Sequence, residues 1–262
     1  MRVVHGVEAL EPTLGPLFVA IGVFDGLHRG HLYLLEELRR AAVARDATPS
    51  VITFDHHPDE VITGAAPPLL CDPDERLRRL DAAGVGVTVV QTFDVALRMT
   101  PFDEFVRRIT DRVDLAGFLM TPESAFGHDR GGTPETVAAL GRELGYDVVV
   151  LPRFELDGRP VRSSDVRAAI ADGNLAEAQR LLGRRYAISG RVSRALRDTT
   201  EVRWPMPIAL PPPGGYEVRV VTPAGAVRLR DATLDGSQAI LEPAVPATSG
   251  QPLTLELVRP RA

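Results

Sequence analysis

The chain has 262 residues, enough for two domains of ordinary size. It is 44% hydrophobic and 25% charged with a formal net charge of −5, a composition that can bury a sizeable core and argues against a general nucleic-acid binder. The lone Cys71 excludes an intrachain disulfide framework and a cysteine zinc site, and no signal-peptide or membrane-span pattern is visible, so the expected location is cytoplasmic with no membrane partner.

Along the first two thirds, short apolar runs alternate with helical spacing. Residues 17–24 read as a buried strand ending in a Gly/Asp-rich loop. Residues 31–45 follow as a helix with Leu34, Leu35, Leu38, Ala41 and Ala42 at helical spacing, and residues 49–54 are a second strand. A helix is expected over 74–83, a strand over 85–92, and a helix over 101–113 with Thr100 as N-cap. Residues 115–120 predict a strand, 134–144 a helix and 147–152 a strand. Two short helices, 164–171 and 175–182, are separated by Asp172-Gly173-Asn174. Strands spaced by helices in this way imply βαβ units and an α/β, doubly wound parallel sheet.

From about Gly183 the pattern changes to strand-like runs at 216–221, 227–234, 239–241 and 253–258. Turn signals stand at Thr222-Pro223-Ala224-Gly225 and Leu234-Asp235-Gly236-Ser237. These predict a second, smaller antiparallel β-barrel-like domain. The proline-rich entry at 205–213 should be extended and poor at strand pairing. The expected domains are therefore 1–186 and 187–262.

The chemistry concentrates in Gly22-Val23-Phe24-Asp25-Gly26-Leu27-His28-Arg29-Gly30-His31, between the first strand and first helix. In a doubly wound sheet, ligands bind at the carboxyl ends of strands. A helix start offers N–H groups to an anion, and Gly22, Gly26 and Gly30 allow close approach to phosphates. His28 and His31, three apart, can donate to phosphate oxygens without a permanent charge. There is no lysine, so a phosphate-binding side-chain cation has to be arginine. Ser163 and Ser164 can cap a helix beginning near Asp165, with Arg167 one turn in as a multidentate donor. Alone, that stretch reads more readily as a plain N-cap with a solvated arginine, because serine caps are frequent; its place behind the histidine loop favours an anion site. Asp129-Arg130-Gly131-Gly132 could cover phosphate or be a plain surface loop.

The loop resembles the start of the bacterial FAD synthetase family, the bifunctional riboflavin kinase/FMN adenylyltransferases. Further stretches match in order: Thr53-Phe54-Asp55-His56-His57-Pro58, with His56 in place of a proline, then Phe102-Asp103-Glu104-Phe105, Ser163-Ser164-Asp165-Val166-Arg167, and Leu181-Leu182-Gly183-Arg184-Arg185-Tyr186. The similarity covers about residues 15–190. It implies a Rossmann-like HxGH nucleotidyltransferase using ATP as substrate with Mg²⁺, AMP passing to FMN to give FAD and pyrophosphate. It implies catalytic roles for His28, His31 and Arg167, and nucleotide binding by Gly22, Phe24, Asp25, Gly26, Gly30, Ser163 and Ser164. Acceptor binding would fall to Phe54, His57, Pro58, Glu123, Phe126 and Gly127. No side-chain set is assigned to a resident metal, and the expected partners are small molecules, not nucleic acid.

Two departures bear on substrate. Where the family has G-x-D-F-R-F-G, this chain reads Thr121-Pro122-Glu123-Ser124-Ala125-Phe126-Gly127, losing an aromatic and a base. Where the family's kinase domain has G-R-x-L-G-F-P-T-A-N, it reads Val202-Arg203-Trp204-Pro205-Met206-Pro207-Ile208. The second departure implies a shortened, kinase-inactive barrel. Together the departures keep two alternatives open: the same chemistry on a non-flavin phosphorylated acceptor, which both fit, or a non-catalytic nucleotide- or flavin-binding protein, for which the altered second domain argues. Oligomeric state is not readable from the sequence.

Overall fold

The computed structural model describes residues 1–222, 225 and 227–261. Its contacts divide the chain into two compact units, Met1–Pro67 with Leu77–Pro160, and Pro68–Arg76 with Val161–Ala262.

The first unit is built on a six-stranded parallel sheet. In chain order its elements are β1 (Arg2–His5), β2 (Leu17–Ile21), α1 (Arg29–Val43), β3 (Thr48–Phe54), α2 (Pro58–Thr63), α3 (Pro73–Ala82), β4 (Val87–Gln91), α4 (Val95–Met99), α5 (Phe102–Thr110), β5 (Leu115–Met120), α6 (Pro134–Leu144) and β6 (Asp147–Val150). The first turns of α3 belong to the second unit by contact. A two-residue hairpin, β7 (Glu155–Leu156) with β8 (Arg159–Pro160), closes the unit.

Strand order is β1-β4-β3-β2-β5-β6, so the chain works outward from β2 to one side and then returns to its other side at β5. That reversal beside β2 is the topological switch point where such sheets open a crevice. β2 is buried on both faces, as a central parallel strand must be: Leu17 and Val19 join Phe105, Val106 and Val137, while Phe18 and Ala20 join Leu35, Leu38 and Leu80.

Strand β2 ends at Ile21 rather than at Phe24. Gly22 N–H still donates to Ile52 O at 3.0 Å, but Phe24 then takes a left-handed conformation with φ 52°, which no strand continues. Thr100 does not cap α5. Helix α4, absent from the sequence expectation, ends there, and the Thr100 hydroxyl is drawn back to Ala96 O at 2.9 Å; Pro101 precedes α5 instead. Strand β1 was also unforeseen, because its four residues show no alternation of buried and exposed positions.

In the second unit, α7 (Ser163–Ala171) and α8 (Leu175–Leu182) precede β9 (Ala187–Ala195), β10 (Thr200–Arg203), β11 (Gly214–Val221), β12 (Val227–Leu234), β13 (Gln238–Glu242) and β14 (Pro252–Pro260). The strands close into an antiparallel barrel, β10-β13-β12-β11-β14-β9. Alternate residues fill it, among them Tyr216, Val218 and Val220 of β11 and Leu253, Leu255 and Leu257 of β14. Compact packing thus begins at Val161, before the change of pattern near Gly183, because α7 and α8 group with the barrel. Pro223 and Ala224 of the expected Thr222 turn lie outside the described residues. The proline-rich entry makes one isolated bridge, Ile208 with Leu69. Among the described residues no helix is long and apolar enough to cross a membrane.

Candidate functional site

The loop after β2 is held by its own geometry. The buried Thr53 hydroxyl donates to Val23 O at 3.0 Å, pinning the loop to the neighbouring strand. Phe24 and Leu27 are non-glycine residues at positive φ (52° and 39°), backbone strain of the kind found at sites whose shape matters, with Gly26 at φ 74° between them. Asp25 is 2% exposed and lies inside the loop, consistent with ordering it. Phe24 is equally buried, its ring 5.2 Å from that of His31 and packed over Gly22, so it supports His31 from below.

Helix α1 begins at Arg29, two residues earlier than expected, which makes His28 its N-cap and His31 its third residue. The three-residue spacing is therefore a cap spacing: His28 Nδ1 accepts the His31 N–H at 3.3 Å. With Nδ1 accepting, neutral His28 carries its proton on Nε2. The two rings stack, centroids 3.7 Å apart and 15° from coplanar. Burial, reinforced by His28, holds the His31 imidazole well below the ordinary histidine value, so it is neutral at pH 7. Its Nδ1 is buried without a hydrogen-bond partner. Because His31 N–H is capped from within, the helix start presents Arg29 and Gly30 N–H ahead of the first intrahelical bond, Leu32 N–H to His28 O.

Beside this loop a cavity of 890 Å³ opens at the carboxyl ends of β2, β3 and β5, marked by Ile21, Phe54 and Met120. Gly22 and Val23 belong to both the loop and the cavity wall. The interior is aromatic, with Phe54, Phe93, Phe105, Phe118 and Phe126 among its lining. Phe54 meets Phe93 edge-on at 5.3 Å, and Phe126 meets Phe105 and Phe118 at 6.1 and 5.9 Å. Five of the six residues expected at the acceptor line it: Phe54, Pro58, Glu123, Phe126 and Gly127. His57 does not line it. Its Nδ1 caps α2 by accepting the Asp59 N–H at 3.2 Å.

The loop following β5 closes one wall. Ser124 Oγ accepts the Thr121 N–H at 2.9 Å, and Gly127 takes φ 76° with its Cα against the Phe102 backbone. His128 N–H donates to Thr100 O, while Phe126 and Gly132 exchange hydrogen bonds. The 129–132 stretch is thus tied down at both ends. On the opposite wall, Asp55 organises the end of β3. Burial raises its carboxyl, but the Thr92 hydroxyl and the Phe93 and His56 N–H groups outweigh this and hold it below the ordinary range.

Ser163, Ser164 and Arg167 belong to the second unit. The serines are not caps: α7 starts at Ser163, with Arg162 as N-cap, and Asp165 Oδ2 accepts the Arg162 N–H at 3.2 Å. Asp165, the third helical residue, thus reaches back to the cap residue's own N–H, while Ser163 and Ser164 already lie inside the first turn. Arg167 Nε donates to Pro68 O at 2.8 Å. Sequence reasoning gave no role to Thr53 or Arg153, and Phe93, which with Asp94 also resembles a family stretch, was given none in the site. Thr53 stood inside a matched motif without an assigned role, and Arg153 meets its partner across 30 positions of sequence, which no local pattern reveals.

The FAD synthetase family model matches residues 11–165. A bifunctional riboflavin kinase/FMN adenylyltransferase of Pseudomonas fluorescens is 33% identical over 193 residues, and that of Escherichia coli (strain K12) is 34% identical over 196 residues. Each match covers 73% of this chain, and the chain spans 62% of the length of these relatives. A crystal structure described as a macrolide-efflux protein from Streptococcus pneumoniae shares the fold, with TM-score 0.84, 21% identity, and coverage of 100% of this chain and 92% of that one.

Proposed function

The chain belongs to the FAD synthetase family, and on that premise we propose that it transfers AMP from ATP to FMN, giving FAD and pyrophosphate. The observation that carries this is the sharing of Gly22 and Val23 between the histidine loop and the aromatic cavity. A histidine-bearing loop beside a hole suited to a planar apolar ring supports this reading. A phosphate oxygen of FMN attacks the α-phosphorus of ATP in line, and the bond to the pyrophosphate oxygen breaks. The attacking oxygen is already anionic, so no general base is required. His28 donates through Nε2–H, and His31 lends a second neutral donor, to the oxygens of the transferring group. Positioning and charge stabilisation do the work, without a covalent enzyme intermediate.

Mg²⁺ fits this chemistry as part of the substrate. Among the described residues no three His, Cys, Asp or Glu side chains gather as a metal cage. Such an ion is commonly held by substrate phosphates and water, and it supplies neutralisation of the polyphosphate charge. Ser163, Ser164 and Arg167 are assigned to nucleotide binding, and Phe54, Pro58, Glu123, Phe126 and Gly127 to the acceptor. Riboflavin phosphorylation is not assigned to the barrel. At the segment where the family carries Thr and Asn, Trp204 packs on Gly190, whose added Cβ would lie 2.9 Å from the indole.

The test is incubation of the chain with ATP, Mg²⁺ and FMN, with FAD and pyrophosphate measured together. Stoichiometric appearance of both supports the reading. Pyrophosphate release only with another phosphorylated acceptor, or nucleotide binding without release, overturns it.

A further inference from the structure

The cavity that the proposed function gives to the acceptor carries an electrostatic problem. Its wall includes the carboxylates of Asp59, Glu123 and Asp129 against the guanidinium groups of Arg98 and Arg130. A phosphorylated acceptor brings its own negative charge into that space. Asp59 lies 3.6 Å from His57 Nδ1, and Asp129 lies 3.4 Å from His128 Nε2. Among the described residues, Glu123 alone of the three is paired with a permanent cation: Arg153 Nε donates to its Oε2 at 2.5 Å. Arg153 is not part of the cavity wall. It reaches Glu123 because Leu151 N–H donates to Met120 O, extending the β5–β6 alignment past both strand ends. The Glu123 carbonyl also accepts from Arg130 Nη2 at 3.2 Å, so the residue joins both arms of the wall.

Both side chains of the pair are substantially exposed, 33% and 49%. Such pairs contribute little to stability, so stability does not explain it. We propose, resting on the acceptor reading above, that Arg153 makes the cavity receptive to an anionic acceptor by neutralising Glu123. Arg153 acts through Glu123 and touches neither substrate. Without it, an uncompensated carboxylate in the wall faces the phosphate, a repulsion that added salt screens.

The experiment compares FMN, which carries the phosphate, with riboflavin, which does not, by flavin fluorescence titration of the full chain. Arg153→Ala should weaken FMN about tenfold while changing riboflavin by less than about twofold. Glu123→Gln should tighten FMN, because Arg153 then stands uncompensated. The double variant should return FMN to near its original affinity, and the Arg153→Ala deficit should shrink as salt rises. Equal losses of FMN and riboflavin, or a double variant as weak as Arg153→Ala, overturn the proposal and leave the acceptor reading standing. If the unmodified chain binds neither flavin, the acceptor reading fails. The same variants are then read with an anionic and a neutral naphthylamine dye, where absence of the opposite-signed pattern overturns the charge-masking role as well.

Discussion

His28 and His31 form one unit: the rings stack at 3.7 Å while His28 Nδ1 holds the His31 main-chain N–H at 3.3 Å. The same hydrogen bond caps α1 and fixes which nitrogen of His28 faces outward as donor. The proposed catalytic donor and the helix cap are therefore separable by substitution. His28→Asn keeps a capping acceptor and should leave the melting temperature within about 2 °C of the original, whereas His28→Ala should cost about 1 kcal/mol, a fall of about 2–4 °C. Both should slow pyrophosphate release at least about a hundredfold. Thermal melts beside a pyrophosphate assay check this, and an active His28→Ala would remove His28 from the chemistry.

His31 gives a pH signature. Its folded-state value is lowered, so between that value and the ordinary 6.5 the unfolded chain binds more protons than the folded one. Its contribution to stability is fully present above about pH 6.5 and is lost as pH falls toward the folded value. Replacing it by Asn should flatten the fall of melting temperature between about pH 6.5 and 5. Melts of both forms across that range decide it; parallel curves would contradict the burial argument.

Gly127 sits at φ 76°, and an added Cβ would lie 2.6 Å from Phe102 N and 2.7 Å from its Cα. Gly127→Ala combines backbone strain with a main-chain clash and should cost about 2 kcal/mol or more. Because this residue lines the cavity, the KM for FMN should rise while that for ATP holds. Denaturant unfolding and paired KM measurements test both halves.

Phe54 offers a cleaner probe of the cavity, since it is only partly buried and packs edge-on against Phe93. Phe54→Ala should raise the KM for FMN about tenfold, the loss of one aromatic contact and its buried area. The KM for ATP should stay within about twofold. Equal rises for both substrates would place Phe54 at the nucleotide instead.

Arg167 spends its Nε on Pro68 O. Arg167→Lys keeps charge but loses the planar fork, so it should recover only a minor part of the nucleotide affinity lost in Arg167→Ala. ATP titration of the two variants measures this, and full recovery by lysine would reduce the role to bulk charge.

The alternating sheet and the histidine loop were legible because each rests on local pattern: apolar runs, helical spacing and glycines at a strand end. What escaped was set by competition between neighbours. Thr100 looked like a cap until α4 ended on it, and Ser163 looked like a cap until α7 began on it with Arg162 as its N-cap. Phe24 read as a ligand contact because its loop position was visible and its burial under His31 was not. The Glu123–Arg153 pair depends on how β5 and β6 align beyond their ends, information held only in three dimensions.

The two units also differ in how they could meet other chains. Closure gives each of the six barrel strands two neighbours, although among the described residues Val227–Arg230 of β12 pair only with β11. The parallel sheet keeps two borders, β1 and β6, each four residues long, and β6 opens with Asp147 bound to Arg45. Short borders guarded by charge are poor templates for strand addition. The one-sided backbone stretch of the barrel at Val227–Arg230 is therefore a more open place for strand addition than either border of the parallel sheet.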